Sequence, residues 1–144
     1  MLRLLILVTF LTIGCSTLHD KAQKHLTNES YDQAIGVYQD ILRYDPKDRG
    51  ALAGLTKARV GWIGKKLIQV RLLRLAGNHR KSLDLLLSIY SNENAWGVFP
   101  TGAAAFTQEE ESHFAQKSIK FVVLKSLKKN KPLKAQFYLE KYDM

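Results

Sequence analysis

The stretch Tyr31-Asp32-Gln33-Ala34-Ile35-Gly36-Val37-Tyr38-Gln39-Asp40-Ile41-Leu42 decides the fold. Its small residue, Ala34, is followed by an aromatic four positions on, Tyr38, and an apolar residue three further, Ile41. These steps put all three on one face of a helix. The helix stops at Tyr44-Asp45-Pro46-Lys47-Asp48, because proline disfavours helix at the residue before it and a new helix starts beyond. Two weaker copies follow. Gly77-Asn78-His79 leads to Ser82, Leu86 and Ile89, and Asn130-Lys131-Pro132 leads to Ala135, Leu139 and Tyr142. Each small residue comes shortly after a turn and precedes apolar residues at the next helical contacts. Period-2 alternation of β-branched residues is almost absent, so strands are not expected.

Between these units, Arg49 to Ala76 reads as one unbroken helical stretch. Ser91 to Phe106, with Asn92, Asn94, Gly97, Pro100 and Gly102, reads as a long break. The spacing then predicts a capping box at Thr107-Gln108-Glu109-Glu110, with the acidic run Glu109 to Glu111 at the positive end of a helix. Lys129-Asn130-Lys131-Pro132 allows a tight turn, with Pro132 in the first turn of the last helix.

The unit around Ala34 resembles the second helix of a tetratricopeptide repeat, and the signature positions Ala34, Tyr38, Ser82, Leu86, Ala135 and Leu139 extend that resemblance to about three hairpins. The family places a small residue where the two helices of a hairpin approach most closely. The resemblance implies an all-α fold of antiparallel helical hairpins stacked as a short solenoid. The spacings here exceed the family's roughly 34 residues. The expected small residue of the first helix stands at Ala22, with Val70 and Val123 in the later units. A generic antiparallel helical bundle is the competing architecture.

The start of the chain carries a second signal. Met1-Leu2-Arg3 precedes an uncharged run from Leu4 to Gly14, a layout of basic start, apolar middle and small residue that fits a secretory signal peptide. The run is too short to span a bilayer, which takes about 20 apolar residues. Leu11-Thr12-Ile13-Gly14-Cys15 resembles the lipobox of bacterial lipoproteins. The resemblance implies cleavage before Cys15, a diacylglycerol on its sulfur and an acyl chain on its amino group. On that reading residues 1–14 are a cleaved signal peptide, 15–20 a lipidated tether and 21–144 the helical domain. Cys15 is the single cysteine among the 144 residues, so no intramolecular disulfide can form. Ser16 resembles the sorting signal for the outer membrane, which places the protein on its periplasmic face in a diderm host.

Catalytic constellations are not evident. The histidines His19, His25, His79 and His113 are scattered, and Gly61-Trp62-Ile63-Gly64-Lys65-Lys66 has neither the glycine spacing nor the hydroxyl of a phosphate loop. Neither an enzyme nor a metal or other cofactor beyond the lipid is expected. The formal net charge of +9 is more informative, and losing Arg3 with the signal peptide leaves it almost unchanged. Nine basic residues from Arg49 to Lys81 lie in a window with no acid between Asp48 and Asp84, and seven lysines run from Lys117 to Lys134. In the repeat family the first helix of each hairpin lines a concave groove. By that resemblance Arg71, Arg74, Lys117 and Lys120 face a groove that selects an anionic partner. Export argues against nucleic acid.

These features lead to an expected function: a lipid-anchored, non-catalytic adaptor or assembly factor that holds a protein of the bacterial envelope. The alternative is a lipoprotein whose basic tracts bind the membrane surface, an anionic glycolipid or a polysaccharide. The segment Ala95 to Pro100 reads as a loop that either docks a partner or folds back over a hairpin end.

Overall fold

Three helix–helix turns are built from the same backbone hydrogen bonds. Glu29, Gly77 and Asn130 all take left-handed conformations, with φ of 53°, 76° and 51°. Their N–H groups donate to Leu26, Arg74 and Leu127 carbonyls at 3.1, 3.0 and 2.9 Å. The next residues, Ser30, Asn78 and Lys131, each donate to the carbonyl five positions back, all at 2.9 Å. This paired bonding with a left-handed residue is the Schellman stop, which satisfies the last carbonyls of one helix while the chain reverses into the next. Five residues beyond each left-handed position stands the expected small residue. Ala34, Ser82 and Ala135 are all buried.

The computed structural model describes residues 18–142, and among them the ordered elements are all α-helices. In order these are α1 (residues 18–27), α2 (Tyr31–Tyr44), α3 (Arg49–Leu75), α4 (His79–Trp96), α5 (Gly102–Lys128) and α6 (Pro132–Lys141). The all-α expectation holds. The repeated turns join α1 to α2, α3 to α4, and α5 to α6. The chain divides into two compact units after Trp62, within the length of α3.

In the first unit, burial of Ala22, Leu26, Ala34, Ile35, Tyr38 and Ile41 forms the core of α1 and α2. Two tyrosines seven residues apart on α2 lie against two glycines seven residues apart on α3. A Cβ on Gly54 would come within 2.2 Å of the Tyr38 ring, and one on Gly61 within 2.3 Å of the Tyr31 ring. Gly61 therefore serves ring packing. Beside it, the Trp62 indole N–H donates to Asp32 Oδ1 at 2.8 Å. The break at Asp45-Pro46 is as expected, and Asp48 opens α3 by accepting the Ala51 N–H at 2.8 Å. The other oxygen of Asp48 lies 2.8 Å from His19 Nε2, which ties the start of α1 to the start of α3. The Ala51 N–H and then the His19 ring hold the Asp48 carboxyl below the usual range.

In the second unit Ser82 shows why a small residue is needed. Its hydroxyl donates to the Val70 carbonyl of α3 at 3.1 Å, a contact only close helix approach allows. Leu67, Leu86 and Ile89 are buried in the same unit, and α5 packs on both α4 and α6. Lys141 Nζ and the Tyr142 hydroxyl both reach Asp84 Oδ1, at 2.7 and 2.9 Å, and tie the end of α6 to α4.

Two expectations need correction. The break placed at Ser91 to Phe106 is only the segment 97–101: α4 continues through Trp96, and α5 starts at Gly102. Asn92 is absorbed into the helix because its amide donates to the Ser88 carbonyl at 2.7 Å. Left-handed Gly97, φ 60°, makes the actual stop. The capping box at Thr107 does not form, since Thr107 lies inside α5 and its hydroxyl donates back to Ala103 at 2.9 Å. Residues 18–20, at the end of the expected tether, are helical and begin α1. Cys15 and residues 1–14 lie outside the described residues.

Candidate partner-docking site on the last hairpin

The four cations expected to line a groove separate into two pairs. Arg71 and Arg74 of α3 are committed to α5. Arg74 makes two bonds to Glu111, Nε to Oε2 at 2.7 Å and an Nη2 bond to Oε1 at 2.9 Å. Arg71 Nε adds a third to Glu111 at 3.1 Å, and its other nitrogen pairs with Glu110. The Arg74 guanidinium also lies 3.9 Å over the Phe114 ring. The Glu111 side chain is fully buried. Burial pushes its carboxyl up, but the hydrogen bonds and charges of Arg74 and Arg71 outweigh that and hold it below the usual range. These charges clamp α3 to α5. Consecutive Glu110 and Glu111 thus converge on one cation from within α5, instead of standing at the positive end of a helix as the sequence suggests. Lys117 and Lys120 differ: both are exposed on α5, and neither has a hydrogen bond or ion pair among the described residues.

Lys120 stands on the rim of an open cleft of about 300 Å³ between α5 and α6. Ile119, Val123, Leu124, Leu139 and Tyr142 form its apolar wall, with Gln116 beside Lys120. Leu139, expected as a buried hairpin contact, is instead 55% exposed on that wall, and Tyr142 makes the buried contact. Tyr38, Leu86 and the three small residues are buried. The hairpin also exposes Phe121, Leu127, Leu133 and Phe137, all more than half accessible. From Ser112 to Leu139 there is no acidic residue, so the seven lysines of this stretch have no acid close in sequence. An apolar cleft with an unpaired ammonium group on its rim suits an apolar anchor beside negative charge.

Sequence reasoning did not foresee the cleft, because exposure of Leu124 and Leu139 depends on what packs over the hairpin and not on helical period. Among the described residues no group of three or more His, Cys, Asp or Glu is arranged to hold a metal ion. None of the described helices is long and apolar enough to cross a membrane. The chain matches no protein-family profile, no curated protein and no solved structure.

Proposed function

We propose that the chain is a lipid-anchored, non-catalytic protein of the bacterial envelope that holds a partner protein, in the manner of tetratricopeptide-like adaptors. The observation that carries the reading is the half-exposed apolar cleft of the α5–α6 hairpin, with unpaired Lys120 on its rim and unpaired Lys117 one turn before it on α5. The three equivalent turns, each followed by a buried small residue, support the repeat-like architecture. The lipid on Cys15 fixes the location, outer membrane and periplasmic face if the host is diderm. Only three peptide units separate Cys15 from Leu18 in α1, a reach of about 10 Å at most, so the first unit sits at the bilayer surface.

Binding needs no chemistry. A partner segment inserts an apolar side chain into the cleft, where each buried Å² contributes about 25 cal/mol. An adjacent acid pairs with Lys117 or Lys120, worth roughly 0.2–1 kcal/mol at an exposed site, so charge selects the partner while the apolar anchor supplies affinity.

A second reading, docking on anionic lipid, is favoured by Phe121 and Leu127 standing exposed among Lys125 and Lys128. Such lysines contribute about 1 kcal/mol each near an anionic surface. Crosslinking of the anchored protein in its native envelope tests the choice. A discrete protein adduct, lost in the Lys117→Glu, Lys120→Glu double variant, supports the adaptor. Adducts to lipid alone support the second reading. Replacing Cys15 with Ser tests the anchor: lipid labelling and membrane fractionation should both disappear, and unchanged membrane association refutes it.

A further inference from the structure

A second cleft in the same unit, on the opposite charge footing, lies where α4 gives way to α5. Its volume is about 410 Å³, and Tyr90, Glu93, Phe99, Gln108, Glu109 and Ser112 are among its walls. Glu93 is 97% buried by its 3% exposure, yet its Oε1 has no hydrogen-bond partner. The Gln108 amide reaches only the other oxygen, Oε2, at 2.8 Å. An unpartnered buried carboxylate oxygen is costly and rare, and a ligand that brings the missing donor would satisfy it.

The hydroxyl protons in the cleft are already used. Ser112 Oγ donates to the Gln108 carbonyl at 2.7 Å, so in its bond with Tyr90 the tyrosine must be the donor. Exposed Glu109 adds a second carboxylate at the rim and has no ion pair among the described residues. In a chain of net charge +9 this is a local concentration of negative charge. Phe99, 59% exposed, and the Tyr90 ring supply flat apolar walls. We infer that this cleft binds an alkylammonium or guanidinium group, whose N–H donors satisfy Glu93 and whose methylene stem lies against Phe99 and Tyr90. Long cationic side chains bury their stems and keep the charged head on a polar partner in this way. The last torsion of a glutamate is soft, so Oε1 can turn to the ligand without movement of α4. Burial pushes the Glu93 carboxyl up, and the Gln108 hydrogen bond offsets that only in part. The site stands whether or not the α5–α6 cleft docks a partner.

The shared chemistry has two sources, a free polyamine or the lysyl or arginyl side chain of a peptide. Spermidine and a blocked lysine-containing tripeptide are the probes, with the Nε-acetylated tripeptide as the control. The protein is titrated with each, and the Gln108 side-chain amide and the Phe99 backbone amide are followed by NMR. The expected result is saturable shifts at both positions with at least one cationic probe, and none with the acetylated control. The stronger probe identifies the source. Glu93→Gln keeps the shape and the amide bond but removes the charge, and should weaken binding roughly tenfold or more. Phe99→Ala, at an exposed position that leaves the core intact, should weaken it as well. Equal titration of wild type and Glu93→Gln overturns the inference, as does the absence of a saturable shift or shifts confined to other acids such as Glu140. If Glu93→Gln fails to fold, retained affinity in Phe99→Ala overturns it in its place.

Discussion

Replacing Gly54, Gly61 and Gly64 in turn with alanine tests the packing of α2 on α3 within a single helix. All three lie inside α3, where exchanging glycine for alanine ordinarily stabilises by about 1 kcal/mol. Gly64 has nothing within 4 Å of its would-be Cβ, so it should show that gain in full. At Gly54 the new Cβ would sit 2.2 Å from Tyr38 Cζ and 2.4 Å from its Cε1, inside any real contact distance. Tyr38 is only 3% exposed and cannot swing into solvent, so the ring and α2 must move together. Overpacking of this kind costs about 1–3 kcal/mol, which offsets the propensity gain and leaves Gly54→Ala net destabilised by up to about 2 kcal/mol. Gly61→Ala meets the Tyr31 ring at 2.3 Å, but Tyr31 is half-buried and can yield, so its cost is smaller. Urea denaturation followed by far-UV circular dichroism gives the order, provided the slope of the transition is unchanged. The expected ranking is Gly64→Ala above wild type, Gly61→Ala between, and Gly54→Ala lowest. A Gly54→Ala protein as stable as Gly64→Ala refutes the seating of Tyr38 on α3.

Other perturbations reach the remaining contacts. Glu111→Ala strands Arg71 and Arg74 and should cost about 3 kcal/mol, the low end for a broken buried pair because both guanidiniums are partly exposed; Glu110→Ala should cost under about 1 kcal/mol, and equal effects in urea denaturation would contradict the clamp. Gly77→Ala forces a side chain into a left-handed turn and should cost about 1–2 kcal/mol of stability, whereas Asn130→Gly should be neutral or stabilising. The carboxyls of Glu111, Asp48 and Asp84 are held low in the fold, so their contribution is present above the ordinary carboxylate range and lost as pH falls through it. Glu93 is raised and acts in the opposite sense, favouring the fold as it takes up a proton; in Glu93→Gln the loss of stability on acidification should therefore be steeper, which denaturation at a series of pH values measures.

Much of the fold could be read from local patterns. The helix stop at Asp45-Pro46 and the turns before Ser82 and Ala135 depend on nearby residues, and each occurs where the sequence placed it. The failures come from residues whose local preference was outvoted by their helix. Asn92 and Thr107 looked like loop and cap, yet both bond back to a carbonyl four residues earlier and stay helical. The site was less legible. Arg71 and Arg74 one turn apart indicate a cationic face, but nothing local says that their carboxylates come from Glu110 and Glu111, some forty residues on. Gly61 was noticed for a phosphate-loop pattern it does not complete, when its reason lies in Tyr31 of another helix. Glu93 carried no sequence signal, because burial and a missing partner are properties of packing alone.

The central claim, that the last hairpin docks a protein partner, is tested most directly at Leu139. A photo-crosslinking amino acid placed there lies on the open wall of the α5–α6 cleft and disturbs no buried contact. In the native envelope, illumination should yield one discrete protein adduct that disappears when Lys117 and Lys120 are both changed to Glu. Adducts to lipid alone, or a protein adduct indifferent to that charge reversal, would contradict it.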